Sequence, residues 1–313
     1  MDKIERVERR LKLHDVRVLM SVVQAGGMRK AAAQLGTSQP AISRSISDLE
    51  HALGVRLLDR GSRGIEPTPY GRALIKRGIA IFDELREGIR DIEFLADPTA
   101  GELRIGCPES VAAGPVLAVI DRLTRRHPRI VFHVLTAAGA PLYRDLMERK
   151  VELALSLVTG AEAGADLVVE TLFDDHFVVV AGSQSPWAHR RKIELAELVN
   201  EAWTLLPSDS VASPVIVEAF RARGLEPPRT TLITPSLNLR NRLLATGRFL
   251  TVLPRFALLL PGKDPALKAL PVDFPNAPRT TAILTLRNRT MSPLAELFIE
   301  TIRAIVKPMV KRR

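Results

Sequence analysis

Apolar positions between residues 28 and 53 fall into two short helical patterns separated by a polar turn. Met28–Leu35 is built on small residues, Ala31, Ala32 and Ala33, which let one helix approach another closely. Gly36 and Thr37 break that pattern. Ser38 is placed to cap a second helix, and Pro40 falls in its first turn, where a missing N–H costs nothing. Ile42, Ile46, Leu49 and Leu53 then recur at core spacing, which predicts a helix to about residue 53. A third helix is predicted over 69–96, with Thr68 as cap, Pro69 at its first position and Asp97-Pro98 as its end. Along it Ile75, Phe82, Ile89 and Ala96 repeat at heptad spacing, with Gly78, Leu85 and Ile92 in the second seam position. Such a seam packs along another helix, in its own domain or in a second copy. We expect a second copy, with a dimer interface through Ile75, Phe82, Leu85, Ile89 and Ile92.

From Leu103 the period changes to short β runs alternating with helices. LRIGC, IVFHVLT, ELALSLV and FVVVA read as strands, and VLAVIDRLTRRHP and PLYRDLMERK as helices, an alternation that indicates a largely parallel α/β sheet. A second group follows from about residue 182: AWTLLP, the helix VIVEAFRARG, TTLIT, the helix SLNLRNRLLATG and FLTVLP. TAILTL at 281–286 and a helix LAELFIETIRAIVKP close the chain. The expected architecture is α/β overall. An N-terminal helical domain spans 1–67, a linker helix 68–97, and a two-lobed domain 98–313. Lobe I is expected at 102–181 and 281–308 and lobe II at 182–280, so that the chain crosses near Ala181-Gly182 and again near Thr280-Thr281.

Charge sharpens the reading of the first domain. The chain carries a net charge of +10, but residues 1–77 hold 15 Lys and Arg against 8 Asp and Glu, whereas residues 78–97 hold 2 against 6. The densest positive charge therefore lies on the paired short helices, as a polyanionic partner would require. The free face of the second helix carries Gln39, Ser43, Arg44 and Ser47, side chains suited to base edges and phosphates in a major groove. Thr37, Ser38 and Pro40 stand at its start. The segment Asp59-Arg60-Gly61-Ser62-Arg63-Gly64 follows it directly, placing Arg60 and Arg63 on a ribbon that fits a neighbouring minor groove. Double-stranded DNA is the expected partner. An aromatic content of 4% argues against a stacking platform for single strands.

On the run AAAQLGTSQPAISRSISDLEHALGVRLLDR and the TPYG that opens the next helix, residues 13–71 resemble the winged helix-turn-helix of the LysR-type transcriptional regulators. Two departures are visible: Gly27 stands where Ser or Thr usually caps, and Pro67 stands where an apolar residue is commoner. The resemblance implies a dimerising linker helix and an effector-binding domain similar to type 2 periplasmic solute-binding proteins. It also implies a homodimer or homotetramer on promoter DNA, contact with RNA polymerase if the protein activates, and a bacterial cytoplasmic location. The alternative is a cytoplasmic solute-binding or catalytic α/β protein with an accessory helical domain.

In open α/β sheets, ligands collect where strands end and helix N-termini offer free N–H groups. Ser110 follows LRIGC at such a place, where it can cap the helix, and it matches a family position that contacts the effector. Thr136 and Gly139 follow the next strand; Ser208 and Ser236 lie at equivalent turns of the second lobe. The expected ligand is a small organic acid or sugar. Nothing in the chain supports catalysis. The histidines, at 14, 51, 127, 133, 176 and 189, have no metal-ligand spacing, and no G-x-S-x-G, P-loop or G-x-G-x-x-G occurs. Cys107 reads as a small buried thiol, and Asp174-Asp175-His176 as a strand entry. No cofactor and no metal are expected. With a single cysteine no internal disulfide can form, the first fifteen residues lack the apolar core of a secretory signal, and no apolar run reaches membrane-span length.

Overall fold

The computed structural model describes residues 5, 7, 9–61, 64–158, 165–208, 210, 212–259 and 265–310. The chain divides into two compact units, between Glu87 and Gly88. In the first, α1 (Leu13–Ala25), α2 (Met28–Gln34) and α3 (Gln39–Leu53) enclose a core of Leu19, Val22, Ala31, Ile42, Ile46 and Leu49. Each break has a local cause. Gly26 ends α1 at φ 68°, returning its N–H to the last carbonyls, and Gly36 turns the chain at φ 62°. Extended backbone at Gly27 opens α2 without a side-chain cap. Ser38 caps α3 by accepting a hydrogen bond from the Ala41 N–H at 3.4 Å.

The basic ribbon is an antiparallel hairpin, β1 (Leu58–Gly61) against β2 (Gly64–Pro67), in which Arg60 stands opposite Ile65. The Thr68 hydroxyl donates to the Arg56 carbonyl and accepts from the Gly71 N–H, so it caps α4 (Pro69–Ala96) as expected. A Cβ at Gly71 would lie 2.1 Å from the Leu57 carbonyl oxygen, so only glycine lets the first turn of α4 pass this close to the strand entry.

The heptad seam of α4 is divided. Gly78 and Phe82 face α1 of the same chain. A Cβ at Gly78 would meet Val16, and Phe82 is 6% exposed beneath the Arg17 guanidinium, 4.7 Å from the ring centroid. Phe82 is thus a core residue of its own unit and not a free interface position, because α1 covers that side of the helix. Ile75 is half-buried against the same core. Leu85, Ile89 and Ile92 remain exposed, and Ile81 and Leu95 join them in a stripe rotated from the expected seam.

The second unit contains two five-stranded sheets. Lobe I has the order β4-β3-β5-β12-β6, using β3 (Ala100–Cys107), β4 (Arg129–Thr136), β5 (Leu153–Val158), β6 (Leu167–Asp175) and β12 (Arg279–Leu286). β3 pairs in parallel with β4 and β5, and β12 runs antiparallel between β5 and β6. Helix α5 runs through Glu109–Val111, a π-helical turn at Ala112–Val116 around Pro115, and Leu117–Thr124. With α9 (Pro293–Val310) it buries a core that includes Leu103, Ile105, Val119, Phe298 and Ile302. Helix α6 (Ala140–Met147) follows β4. Lobe II has the order β11-β7-β10-β8-β9, from β7 (Phe177–Gly182), β8 (Ala202–Leu205), β9 (Thr230–Ile233), β10 (Phe249–Pro254) and β11 (Leu267–Ala269). Its core centres on Trp203, which meets Phe220 edge-on and donates its indole N–H to the Leu198 carbonyl. Helices α7 (Ala212–Arg221) and α8 (Leu237–Ala245) complete the lobe.

The first crossing differs from the expected position. FVVVA is not the last strand of lobe I but β7 of lobe II, paired antiparallel with FLTVLP. The chain crosses at His176, between β6 and β7, and returns before Arg279. The strand that closes lobe I is Leu167–Asp175, whose mixed pattern of Glu170 and Thr171 among valines reflects a sheet edge with one open face.

Candidate functional site

Two surfaces gather the residues singled out by the sequence, one in each unit. On the first, Thr37, Gln39, Pro40, Arg44 and Ser47 are exposed along the start and free face of α3, together with the cap Ser38, and Ser43 is half-buried beside them. The opposite face is held down by Ile42, Ile46 and Leu49, so the polar face has one fixed direction. Two side chains that sequence reasoning did not single out secure it. The Ser45 hydroxyl donates to the Asp15 carboxylate of α1 at 2.6 Å. Glu50 Oε1 accepts from the N–H groups of Leu57 and Leu58 at 2.6 and 3.2 Å, fixing the hairpin to the end of α3. Arg60 lies on β1; Arg63, also expected to contact DNA, falls outside the described residues.

On the second, a cavity of about 610 Å³ lies between the lobes. Ser110, Thr136, Gly139 and Ser236 all line it. Ser208 does not: the turn after β8 presents Ser210 instead, while Ser208 points to solvent. Ser110 is not a helix cap either. Pro108 occupies the cap position of α5, which leaves Ser110 in the first turn. Ser236 does cap α8, accepting from the Leu239 N–H at 3.2 Å. Most of the remaining wall is apolar, including Leu157, Phe177, Leu206, Val252 and Leu253.

The charged wall residues were missed at the sequence level. Arg240 on α8 is 3% exposed. Its Nη1 donates to Thr251 Oγ1 at 3.4 Å, and its Nε has no hydrogen-bond partner among the described residues. Burial lowers the guanidinium pKa to about 10, and the charge of Glu109 opposes that shift. Glu109, on the first turn of α5, accepts a 2.5 Å hydrogen bond from the Leu237 N–H of lobe II. Arg240 had no available sequence signal, since a basic residue within LNLRNRLL reads as a solvated helix face.

Cys107 is wholly buried, which pushes its thiol up to about 12 and removes it as a nucleophile. Among the described residues no group of His, Cys, Asp and Glu is arranged to hold a metal, and no helix is long and apolar enough to cross a membrane.

Comparison with known proteins decides the family. Residues 13–72 match the family described as bacterial regulatory helix-turn-helix protein, lysR family, and residues 96–307 match the LysR substrate binding domain. The chain belongs to the LysR family. It is a DNA-binding transcriptional regulator with an effector-binding domain, and its relatives are named as regulators, not enzymes. It is similar to the HTH-type transcriptional regulator GbpR of Azospirillum brasilense, 26% identical over 97% of this chain and 89% of the relative. It is likewise similar to the transcriptional dual regulator GltC of Bacillus subtilis (strain 168), 28% identical over 93% and 96%. Full-length OxyR from Pseudomonas aeruginosa shares the fold with a TM-score of 0.65 at 22% identity, covering 94% of this chain and 95% of that one. Full-length CbnR in complex with its target DNA gives 0.64 at 18% identity over 94% and 99%. The winged helical domain and two-lobed α/β domain inferred from the LysR resemblance are therefore the architecture of this regulator.

Proposed function

We propose that the protein is a cytoplasmic bacterial regulator in which α3 lies in the major groove of promoter DNA. Gln39, Ser43, Arg44 and Ser47 face the bases, Thr37, Ser38 and Pro40 meet the backbone, and Arg60 on the hairpin flanks the minor groove together with Arg63. The observation that carries this reading is the exposed polar face of α3, held in one direction by three buried apolar residues and by Glu50. CbnR, of the same fold, is described in complex with its target DNA, which supports the same use of the domain here. The exposed stripe of α4 supports a homodimer, and two dimers would form a tetramer able to occupy a two-part site. A small organic acid or sugar in the interlobe cavity would modulate binding, with Ser110, Thr136, Gly139 and Ser236 as its polar contacts. Contact with RNA polymerase follows if the protein activates.

The test is binding of the full-length protein to the DNA upstream of its own gene at several salt concentrations. Arg44→Ala should cost about 1–3 kcal/mol on the specific site, the worth of one bidentate base contact. Arg63→Ala should weaken binding to all sequences and reduce the salt slope by about one. Unchanged binding of both variants would remove α3 and the hairpin from the interface.

A further inference from the structure

Glu109 and Arg240 occupy the cavity in an arrangement that the fold alone does not require. Glu109 belongs to lobe I, and the N–H it accepts belongs to the first residue of α8 in lobe II. This carboxylate spans the cavity and takes the place where a helix N-terminus binds anions. One turn further along α8, Arg240 is buried with one long hydrogen bond and an unpartnered Nε. A buried guanidinium with unused donors is costly unless an anion completes it. Glu109 lies close enough for its charge to stabilise that of Arg240 without bonding to it. Lobe II thus offers more donors to an anion than the tethered carboxylate uses.

Resting on the reading of the cavity as an effector site, the geometry points to a carboxylate subsite formed by the Leu237 N–H and Arg240, which Glu109 fills from within the chain and which the carboxylate of the effector takes over. The occupant is a monocarboxylate with an apolar body. Arg240 is the only cation among the described lining residues, and the apolar lining includes Leu157, Phe177 and Val252. Replacing Glu109 breaks the bond it makes between the lobes, so occupancy of the subsite and the link across the cavity exclude one another.

Chemical rescue tests this with acetate as probe. Full-length Glu109→Ala is titrated with sodium acetate against sodium chloride at matched ionic strength, with acetamide as the uncharged control. Thermal melting and the emission of Trp187 and Trp203, both in lobe II, are followed. Acetate should stabilise the variant with a half-saturation about tenfold or more below that of the wild type. Acetamide and chloride should do nothing, and Arg240→Met in the same background should abolish the response. Glu109→Gln keeps the acceptor and the volume. It should show a smaller gain of the same sign, which keeps the test available if the alanine variant does not fold. An acetate response equal in wild type and both variants, or one that survives Arg240→Met, overturns the subsite. A saturable response of the wild type to neutral metabolites without acetate rescue would also overturn it, while leaving the cavity as an effector site. Arg240-dependent rescue in a protein that answers to no metabolite would uphold the subsite and refute the effector reading alone.

Discussion

Glu50 controls how the hairpin is presented beside α3, and removing its carboxylate has a cost that follows from the structure. Leu57 and Leu58, whose N–H groups it accepts, are 1% and 5% exposed, so water cannot replace the lost acceptor without opening the hairpin entry. A buried donor left unsatisfied costs about 1–3 kcal/mol, more when the lost partner was charged. The 2.6 Å bond should contribute most of this and the 3.2 Å bond less. Alanine's better helix propensity returns only a few tenths of a kcal/mol. Glu50→Ala should therefore destabilise the junction of α3 and β1 by about 2–4 kcal/mol, whereas Glu50→Gln, which keeps an acceptor, should cost about 1 kcal/mol. Hydrogen exchange of the full-length protein, read on peptides covering residues 54–68, measures this locally. Exchange there should quicken by about thirtyfold to a thousandfold in the alanine variant, with peptides of the second unit unchanged. DNA affinity should fall in parallel, because the hairpin no longer keeps a fixed distance from α3. Exchange within about threefold of the wild type would refute the claim that Glu50 sets the position of the hairpin.

Two further predictions follow from the same kind of argument. Leu85→Asp should abolish dimerisation in sedimentation while changing the stability of the first unit by less than about 0.5 kcal/mol, since Leu85 is 45% exposed there. Phe82→Ala should instead cost that unit about 3–5 kcal/mol by leaving a cavity under Arg17; the reverse pattern would place the interface on the α1 side of α4. Asp175, buried at the first crossing with His176 and Arg255 beside it, has its pKa raised above 3.8 by loss of solvent, against the hydrogen bonds it accepts from the backbone N–H groups of Phe256 and His176. The folded state therefore takes up this proton before the unfolded chain does, so the group's stabilising contribution is full below about pH 4 and is lost as the pH rises through the raised value. The melting temperature of Asp175→Asn should gain on that of the wild type as the pH rises from 4 to 7. A wild type that instead gains on the variant as the pH rises would contradict this.

The helical domain was legible because its signals are local. Ser38, Pro40, Gly36 and Thr68 each dictate a cap or turn within a few residues, and Ile42, Ile46 and Leu49 declare their own face. Helix α1 was not read as a separate element, so nothing in the sequence showed that Gly78 and Phe82 would be covered from within the chain. The lobes were legible as a class of fold but not in the first crossing. FVVVA, buried on both faces, suits the interior of either sheet, and only its pairing with β10 assigns it. In the cavity, small residues at strand ends were found because turn chemistry repeats. Ser208 and Ser210 share one turn, and which of them faces the cavity depends on where the next helix starts. Arg240 was out of reach, since α8 packs against β7 and β10, and β10 supplies the Thr251 hydroxyl to which Arg240 donates.

The energetics of the crossings limit what an effector can do. Phe256, in the short turn after β10, sits in the core of lobe I and meets Phe173 edge-on at 5.6 Å. Its N–H is held by Asp175, and the neighbouring Arg255 N–H donates to the His176 carbonyl. Asn276, on the returning segment, bonds to both the N–H and the carbonyl of Phe177. Wide separation of the lobes would withdraw the Phe256 ring, a loss on the scale of a buried phenylalanine deletion, about 3–5 kcal/mol. Allosteric coupling between two sites is commonly about 1–3 kcal/mol, and a ligand shifts a conformational equilibrium only by its differential affinity for the two states. That energy does not cover extraction of Phe256. A rotation about the two crossings leaves Phe256 seated, and the bond between Glu109 and Leu237 across the cavity is a contact that such a rotation can change. On the proposed reading of the cavity, an effector would act by replacing that hydrogen bond and not by opening the domain.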